Sequence, residues 1–219
     1  MLEQERGAVC WFGRQMAVDG LVVGTSGNVS LRAGDLLAVT PTGVDYATMT
    51  AEDVSVVTLR GEHREGLLPT SELPLHLLAY RSAAVGALVH THSVHATAVS
   101  TLVTEVPRIH YILGLFGGPV RVAPYATYGT QELAEGVLAA LADRSGCLIA
   151  NHGTVTTGAS LPAAYERALQ LEWVCRLWLA ARSAGAPRLL PPEEVALVAG
   201  KLRTYGQPTS RRTSTIPRP

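Results

Sequence analysis

Residues 86–92 read GALVHTH, an apolar run that ends in two histidines separated by one residue. An apolar run of this length predicts a buried strand. Since side chains along a strand alternate between its two faces, His90 and His92 project to the same side and can bind one metal ion together. Two hydrogen-bonded histidines at a strand end would give the same pattern, so the spacing alone leaves both interpretations open.

A third histidine follows another predicted strand. His152 comes directly after CLIAN (147–151) and before Gly153, where the chain leaves the sheet and its backbone can approach a ligand closely. Three imidazoles without a neighbouring thiolate are typical of a catalytic zinc-type site that keeps one coordination position open. Strand ends are also the usual place for sites in α/β sheets. The three histidines therefore favour a metal centre.

Three loop segments combine hydroxyl side chains with glycine or with a helix start. They are GTSGNVS at residues 24–30, TPTG at 40–43 and PTSELPLH at 69–76. Hydroxyls and backbone amides in such loops can form concave anion sites, and Glu72 stands at the start of a predicted helix. Taken singly, the first two loops are more typical of turns, and Ser71 is more typical of a helix cap. Three of them beside candidate metal ligands indicate a phosphate or polyhydroxy ligand.

The other histidines have less specific interpretations. His63 lies in a polar loop and is expected to be solvated, whereas His76 lies in a predicted helix where packing or capping is the simpler explanation. His95 and His110 are expected either to hydrogen-bond around the site or to pack in the core. The sequence thus assigns a metal-binding role to only three of the seven histidines.

The rest of the chain predicts one α/β domain, of mixed α+β character, over residues 1–206. Apolar periodicity predicts a mixed or antiparallel sheet of about seven to nine strands with helices on both faces. Residues 94–103 fit either a helix or a further strand, and residues 61–66 a polar loop. Helices are expected at 2–18, 73–82, 131–142, 162–182 and 191–205, and strands at 24–32, 36–40, 54–59, 86–92, 120–124 and 147–151. The polar, basic and proline-containing residues 207–219 predict a flexible C-terminal tail.

The composition argues against several classes of function. The 219 residues carry 18 Lys plus Arg and 18 Asp plus Glu, and this zero net charge argues against nucleic-acid or anionic-membrane partners. No apolar run reaches the length of a membrane span, and the acidic N-terminus is unlike a signal peptide. Cys10, Cys147 and Cys175 form no disulfide or metal-binding pattern, so we expect a cytoplasmic protein. Charged residues make up only 16%, against roughly 25% in an average domain, which suggests surface buried between subunits.

Eight blocks of the chain, from Gln4 to Gly206, together resemble one known family. In order they are GTSGNVS, TPTG, PTSELPLH, HTHSVH, IHYILGLFGG, APYATYGT, NHG and KLRTYG. They closely resemble the class II aldolase and adducin family, in particular aldolases of the L-fuculose-1-phosphate type. The resemblance implies a zinc-dependent aldolase that reversibly cleaves a ketose 1-phosphate to dihydroxyacetone phosphate and a small aldehyde such as lactaldehyde.

The resemblance also implies roles for individual residues. The matches to the zinc-binding residues are His90, His92, His152 and Glu72. Glu72 also matches the general base of these enzymes. The matches to the loops that hold the substrate phosphate are Gly27, Asn28, Thr42, Gly43, Thr70 and Ser71.

Two tyrosines complete the implied site. Tyr111 matches a tyrosine that reaches in from the neighbouring subunit and exchanges a proton with the aldehyde oxygen, and Tyr205 matches a second tyrosine near the C-terminus. Family members form four-fold homotetramers with active sites at subunit interfaces. The mechanism needs no Schiff-base lysine, so Lys201, the sole lysine, is expected at the surface.

Several related functions stay open. The family also contains sugar-phosphate 4-epimerases, which have an aspartate at the position of Glu72, and a thioribulose-phosphate dehydratase; Glu72 with Tyr111 favours cleavage. Leu113, Leu115 and Phe116 replace smaller residues of the fuculose enzyme, so the substrate can instead be 5-deoxyribulose or 5-methylthioribulose 1-phosphate. A non-catalytic adducin-like module is a further alternative, which the intact metal ligands disfavour.

Overall fold

The computed structural model describes residues 1–81, 85–202 and 204–205 as one mixed α/β domain. Its strands are β1 (Asn28–Ala33), β2 (Leu36–Val39), β3 (Ser55–Thr58), β4 (His63–Glu65), β5 (Ala87–Thr91), β6 (Val122–Ala123), β7 (Gly146–Ile149) and β8 (Gly153–Gly158). Its helices are α1 (Glu3–Val18), α2 (Leu73–Ala79), α3 (Val94–Ser100), α4 (Gln131–Ala140), α5 (Leu161–Ala184) and α6 (Pro192–Leu202), with a 3-10 helix at Tyr111–Phe116.

The described strands form a single eight-stranded sheet in the order β4-β3-β2-β1-β5-β8-β7-β6. All neighbouring pairs are antiparallel except β6 with β7. The two strands that carry or precede the predicted metal ligands, β5 and β7, are separated only by β8. The sheet order therefore brings the HTH and NHG segments close together although they are far apart in sequence.

Helices cover both faces of the sheet, as predicted. Strand residues alternate between the two cores: Leu37 packs in the core that includes α2 and α4, whereas Ala38 packs in a core that includes α1 and the start of α5. A third core surrounds α3, the 3-10 helix and the middle of α5. The central strands are accordingly buried on both sides.

The predicted elements are largely confirmed, with three additions, one of which is the 3-10 helix at Tyr111–Phe116. The hairpin around Gly34 and the helix capped by Thr130 form as expected, and the Thr130 hydroxyl accepts from Leu133 N–H. Residues 94–100, for which the sequence allowed a helix or a strand, form a helix. The segment 61–66, expected to be a loop, contains the short edge strand β4, and β8 was not predicted at all. Threonines and glycines in GTVTTG weaken the apolar signal of β8, yet all six of its residues are buried.

The predicted domain boundary at Gly206 and the tail 207–219 lie outside the described residues. None of the helices in the described part of the chain combines the length and the apolar character needed to span a bilayer.

Candidate active site

A cavity of about 450 Å³ lies where the three hydroxyl-bearing loops meet. The six residues assigned to phosphate binding all line it: Gly27, Asn28, Thr42, Gly43, Thr70 and Ser71. Glu72, His92 and His152 line the same cavity. Among the described residues that line it there is no lysine or arginine, so hydroxyls, amides and any bound cation must supply the attraction for an anionic ligand.

The second and third loops are fixed to each other by backbone pairing. Pro41 and Pro69 form an isolated antiparallel bridge, and Thr70 N–H donates to Thr40 O at 3.1 Å. Thr70 in turn accepts from Glu72 N–H through its hydroxyl at 3.2 Å. The hydroxyls of one loop and the carboxylate that follows it are therefore held against the other loop.

The first loop depends on a glycine with an unusual backbone. Gly27 has φ +72, and a Cβ there would lie 2.6 Å from Val22 Cγ1 and 2.8 Å from His90 O. A larger residue is thus excluded both by conformation and by space. The buried Tyr46 hydroxyl donates to Gly27 O at 2.6 Å, which anchors the loop beside the histidine strand.

Three histidines and a glutamate form a compact cluster beside this cavity. One ligand atom from each of Glu72, His90, His92 and His152 lies within 4.8 Å of all the others. His92 Nε2 is 3.0 Å from His90 Nε2 and 3.1 Å from His152 Nε2. His90 Nδ1 donates to Thr154 O at 2.7 Å, which leaves its Nε2 pointing into the cluster. Converging imidazole nitrogens of this kind suit a divalent cation such as Zn²⁺.

Glu72 completes the cluster with a carboxylate whose two oxygens have different surroundings. Its Oε2 accepts from Asn28 Nδ2 at 2.9 Å and lies 3.0 Å from His90 Nε2. Its Oε1 is buried without a hydrogen-bond partner among the described residues and lies 3.5 Å from His152 Nε2. A buried carboxylate oxygen without a partner costs free energy. A cation bound between Glu72 and the histidines would remove that cost, so the residues present fit a metal.

The electrostatics of the cluster favour the metal-binding forms of Glu72, His92 and His152. Burial opposes ionisation of Glu72, but His90 and the hydrogen bonds from His90 and Asn28 outweigh it and lower the pKa of the carboxyl. Burial lowers the pKa of His92 to about 3 and that of His152 to about 4, with His90 adding to both shifts. Near neutral pH the site therefore holds a carboxylate and neutral imidazoles at His92 and His152, as metal binding requires. Burial lowers the pKa of His90, but the Glu72 carboxylate and the hydrogen bond to Thr154 outweigh this effect and raise it.

The turn between β7 and β8 places His152. Asn151 adopts a left-handed backbone, φ 56, and donates its N–H to Ser100 Oγ at 3.1 Å. Gly153 begins β8, where a Cβ would collide with Thr91 O on β5. A glycine after the histidine thus allows β8 to approach β5 closely enough to bring His152 next to His92.

The two predicted tyrosines lie elsewhere. Tyr111 begins the 3-10 helix with 46% of its surface exposed, and Tyr205 is 87% exposed; neither lines the cavity of its own chain. Geometry within one copy therefore leaves the role of both tyrosines untested.

Three of the four less specific histidines have structural partners, whereas His63 is exposed, as expected. His76 is fully buried between Ser30 and Asn28, and His95 is paired with Glu172. His110 accepts from Ile112 N–H at the start of the 3-10 helix. The alternative that Ser71 caps α2 is wrong, because Glu72 occupies the cap position and no side chain caps it by a hydrogen bond.

Four further residues line the cavity although the sequence suggested no role for them: Tyr125, Ala126, Tyr128 and Asn151. Tyr125 and Tyr128 are largely exposed beside the cavity, and Asn151 lies next to His152. The signal that would have found the tyrosines is the block APYATYGT, which contributes to the family resemblance without a charged or metal-binding residue.

Comparisons with known proteins identify the family of the chain. Residues 7–179 match the family model of the class II aldolase and adducin N-terminal domain. The chain is 37% identical to the 5-deoxy-D-ribulose 1-phosphate aldolase of Bacillus thuringiensis serovar kurstaki over 94% of its own length and 99% of that protein. It is 42% identical to the L-fuculose phosphate aldolase of Escherichia coli O6:H1, with 85% and 88% of the two chains covered.

A solved structure of L-fuculose 1-phosphate aldolase superposes with a TM-score of 0.88 at 33% identity, covering 91% of this chain and 96% of that one. Sequence and structure therefore agree on the fold over nearly the whole chain. The chain belongs to the class II aldolase and adducin family, as a carbon–carbon lyase of its aldolase branch.

Proposed function

We propose that the protein reversibly cleaves a ketose 1-phosphate, L-fuculose 1-phosphate or a close analogue, to dihydroxyacetone phosphate and a small aldehyde such as lactaldehyde. The observation that carries this proposal is the buried, unpartnered Oε1 of Glu72 among three imidazoles, beside a cavity lined by neutral hydroxyl-bearing loops. The similarity to L-fuculose phosphate aldolases supports it.

The metal that fits this donor set is Zn²⁺, held by His90, His92 and His152 with Glu72 as a further ligand. When bound, it supplies Lewis-acid stabilisation of the negative charge that develops on the substrate's carbonyl oxygen. The loops at Gly27, Thr42 and Thr70, with their neighbours, hold the phosphate through hydroxyls and amides, and this contact orients the substrate carbon chain toward Glu72.

Glu72 then acts as the proton carrier. In the synthetic direction its carboxylate removes a proton from C3 of dihydroxyacetone phosphate, and the freed electron pair forms the bond to the aldehyde carbon. The hydroxyl of Tyr111 gives a proton to the aldehyde oxygen, which becomes the C4 hydroxyl of the product. Cleavage follows the same steps in reverse.

Tyr111 must come from a second copy of the chain in this proposal, because it does not line the cavity of its own copy. Half-exposed aromatic side chains, among them Trp11 and Trp173 as well as Tyr111, are consistent with burial in a homotetramer. Tyr205, also outside the cavity, is proposed to approach the same site near the C-terminus.

The substrate is tested with purified, zinc-loaded protein. Dihydroxyacetone phosphate is measured with a coupled glycerol-phosphate dehydrogenase after addition of L-fuculose 1-phosphate or 5-deoxyribulose 1-phosphate. The second substrate is the main competitor, because the 5-deoxy-D-ribulose 1-phosphate aldolase aligns over 99% of its length. Cleavage of neither compound, with zinc bound, would contradict the proposal, and a higher kcat/KM for the second would move the substrate assignment to it.

The shared site is tested by mixing two inactive variants, Glu72→Gln and Tyr111→Phe, after subunit exchange. If each site uses Glu72 of one copy and Tyr111 of its neighbour, random mixing restores both residues in about a quarter of the sites. Activity that stays at the level of the separate variants, while exchange is verified by mass spectrometry, would show that each copy works alone.

A further inference from the structure

Helix α2 and strand β1 present polar side chains at matching intervals. Glu72, His76 and Tyr80 are four residues apart at the start, middle and end of α2, and Asn28 and Ser30 are two apart on β1. Four helical residues advance about 6 Å and two strand residues about 6.6 to 6.8 Å. The polar side chains of α2 and those of β1 therefore have nearly the same spacing, so that side chains from the helix and the strand can alternate.

These five side chains form one continuous hydrogen-bonded row. Asn28 Nδ2 lies 2.9 Å from Glu72 Oε2, and His76 Nε2 lies 2.6 Å from Asn28 Oδ1. Ser30 Oγ lies 2.6 Å from His76 Nδ1, and the Tyr80 hydroxyl lies 2.8 Å from Ser30 Oγ and 3.0 Å from Ser30 O. All five residues are buried.

The carboxylate fixes the direction of every hydrogen bond in the row. Glu72 can only accept, so Asn28 donates with Nδ2 and accepts with Oδ1. His76 must then carry its proton on Nε2, and its Nδ1 accepts from the Ser30 hydroxyl. The Tyr80 hydroxyl donates to Ser30. Burial lowers the pKa of His76 to about 3, which agrees with the neutral ring that this arrangement needs.

We propose that Asn28 and His76 are positioning residues that hold the Glu72 carboxylate in place, so that Oε2 is fixed by the protein and Oε1 is presented to the metal and the substrate. This inference rests on the proposed function of Glu72. His76 has no exposed surface and does not line the cavity, so it cannot touch a substrate. Its effect on the reaction passes through Asn28.

Rotation of Glu72 is the motion that the row restrains. Glu72 stands at the N-cap of α2 without a side-chain cap bond of its own, and its Oε1 lacks a hydrogen-bond partner within the described residues. Asn28 Nδ2 and His90 Nε2 both contact Oε2 only. Without the amide orientation set by His76, Asn28 can turn its carbonyl toward the carboxylate, and the two acceptors would repel each other.

The first test compares substitutions of His76. His76→Leu removes the donor to Asn28 at similar volume, whereas His76→Gln can donate to Asn28 and accept from Ser30. We expect His76→Leu to lower kcat and the affinity for Zn²⁺ by about 10- to 100-fold with little change in KM, and His76→Gln to recover most of both. Ser55→Ala, which removes a buried hydroxyl on β3 that donates to Leu67 O, serves as the matched control and should change neither.

A second readout is independent of both metal and substrate. In ¹⁵N-histidine spectra of the metal-free protein, His76 should appear as the neutral tautomer with the proton on Nε2, and its signal should change in Ser30→Ala. The opposite tautomer, or a charged ring near pH 7, would overturn the proposal. Because this measurement needs no turnover, it still tests the row if the protein cleaves neither ketose phosphate.

Equal kcat and equal zinc affinity in wild type and a folded His76→Leu would also overturn the proposal. If circular dichroism shows that His76→Leu does not fold, Ser30→Ala takes its place. That variant removes only the donor to His76, and we expect a smaller loss of kcat and zinc affinity, about 3- to 10-fold. Unchanged values in Ser30→Ala would then contradict the positioning role.

Discussion

Glu72 and Glu172 are two carboxylates that each contact a histidine, yet their surroundings differ. Glu172, on α5, has both oxygens satisfied: Oε1 accepts from His95 N–H at 3.0 Å and from His95 Nδ1, and Oε2 accepts from Ala96 N–H at 2.8 Å. Glu172 therefore caps the N-terminus of α3 from a neighbouring helix. The N-cap residue itself, Ser93, makes no side-chain cap bond. Glu72 keeps one buried oxygen without a partner.

The difference indicates a structural role for Glu172 and supports the catalytic role proposed for Glu72. A fully hydrogen-bonded carboxylate at a helix N-terminus lowers the energy of the folded chain and needs no ligand. A buried carboxylate with a free oxygen is stabilised only when something binds. Proximity to histidine therefore does not distinguish the two carboxylates, whereas the hydrogen bonding of their oxygens does.

The largest expected effect is on catalysis. Glu72→Gln should lower kcat by about 10²- to 10⁴-fold, because an amide cannot take the proton from C3. Glu172→Gln, which does not line the cavity, should keep kcat/KM within about threefold of wild type. Both are measured in the coupled assay at saturating zinc. A large loss of kcat/KM in a normally folded Glu172→Gln would contradict the expectation that, of the two carboxylates, only Glu72 takes part in catalysis.

The second effect is on stabilisation by metal. Zinc at 100 times its Kd should raise the free energy of unfolding of the wild type by about 2.7 kcal/mol, and a chelator should reverse it. At the same zinc concentration, Glu172→Gln should gain the same amount of unfolding free energy as the wild type. Glu72→Gln should gain less, because a ligand oxygen has lost its charge and zinc binds more weakly. Thermal melts with and without zinc measure this. An equal gain in all three proteins would place Glu72 outside the metal site.

The sequence could predict that His90, His92 and His152 lie close together, because strand periodicity is a local property. His90 and His92 had to share a face, and the strand preceding His152 was recognisable from its apolar residues. The local pattern did not predict β8, which lies between β5 and β7 in the sheet. Its threonines and glycines are buried because the strand pairs on both sides, and they carry little hydrophobic signal.

The sequence did not reveal two of the hydrogen-bonded residues in this comparison: His76, which is linked to Glu72 through Asn28, and Glu172. His76 was interpreted as a packing residue because its partners, Asn28 and Ser30, lie 48 and 46 residues away. Glu172 was given no role, since it lies 77 residues from His95. Partners so distant depend on the tertiary arrangement of α2 on β1 and of α5 on α3, which propensity and spacing do not specify.

The third effect is a pH dependence of stability that arises from His76, which lies in the hydrogen-bonded row next to Glu72. Burial lowers the pKa of His76 to about 3, while the unfolded value is near 6.5. The unfolded chain therefore binds a proton first as the pH falls, and His76 makes stability decrease between about pH 6.5 and 3, by at most about 1.4 kcal/mol per pH unit. The stability that His76 contributes is fully present above this window.

Urea unfolding of the metal-free protein across this range measures the slope, and His76→Gln provides the comparison. The slope in the variant should be shallower than in the wild type by up to one proton. A slope that is the same in His76→Gln would mean that His76 is charged in the folded state or neutral in both states.

The smallest effect is the contribution of Glu172 to stability. Glu172→Gln keeps one carbonyl oxygen for His95 N–H or Ala96 N–H but loses the second acceptor and the negative charge at the start of α3, which should cost about 1 kcal/mol. For a domain of this size the melting temperature should fall by about 2 to 4 °C. Glu166→Gln, an exposed glutamate on the same helix, is the control and should leave the melting temperature unchanged. If Glu172→Gln melts like the control, the cap on α3 contributes nothing, and the full hydrogen bonding of Glu172 would no longer mark it as structural.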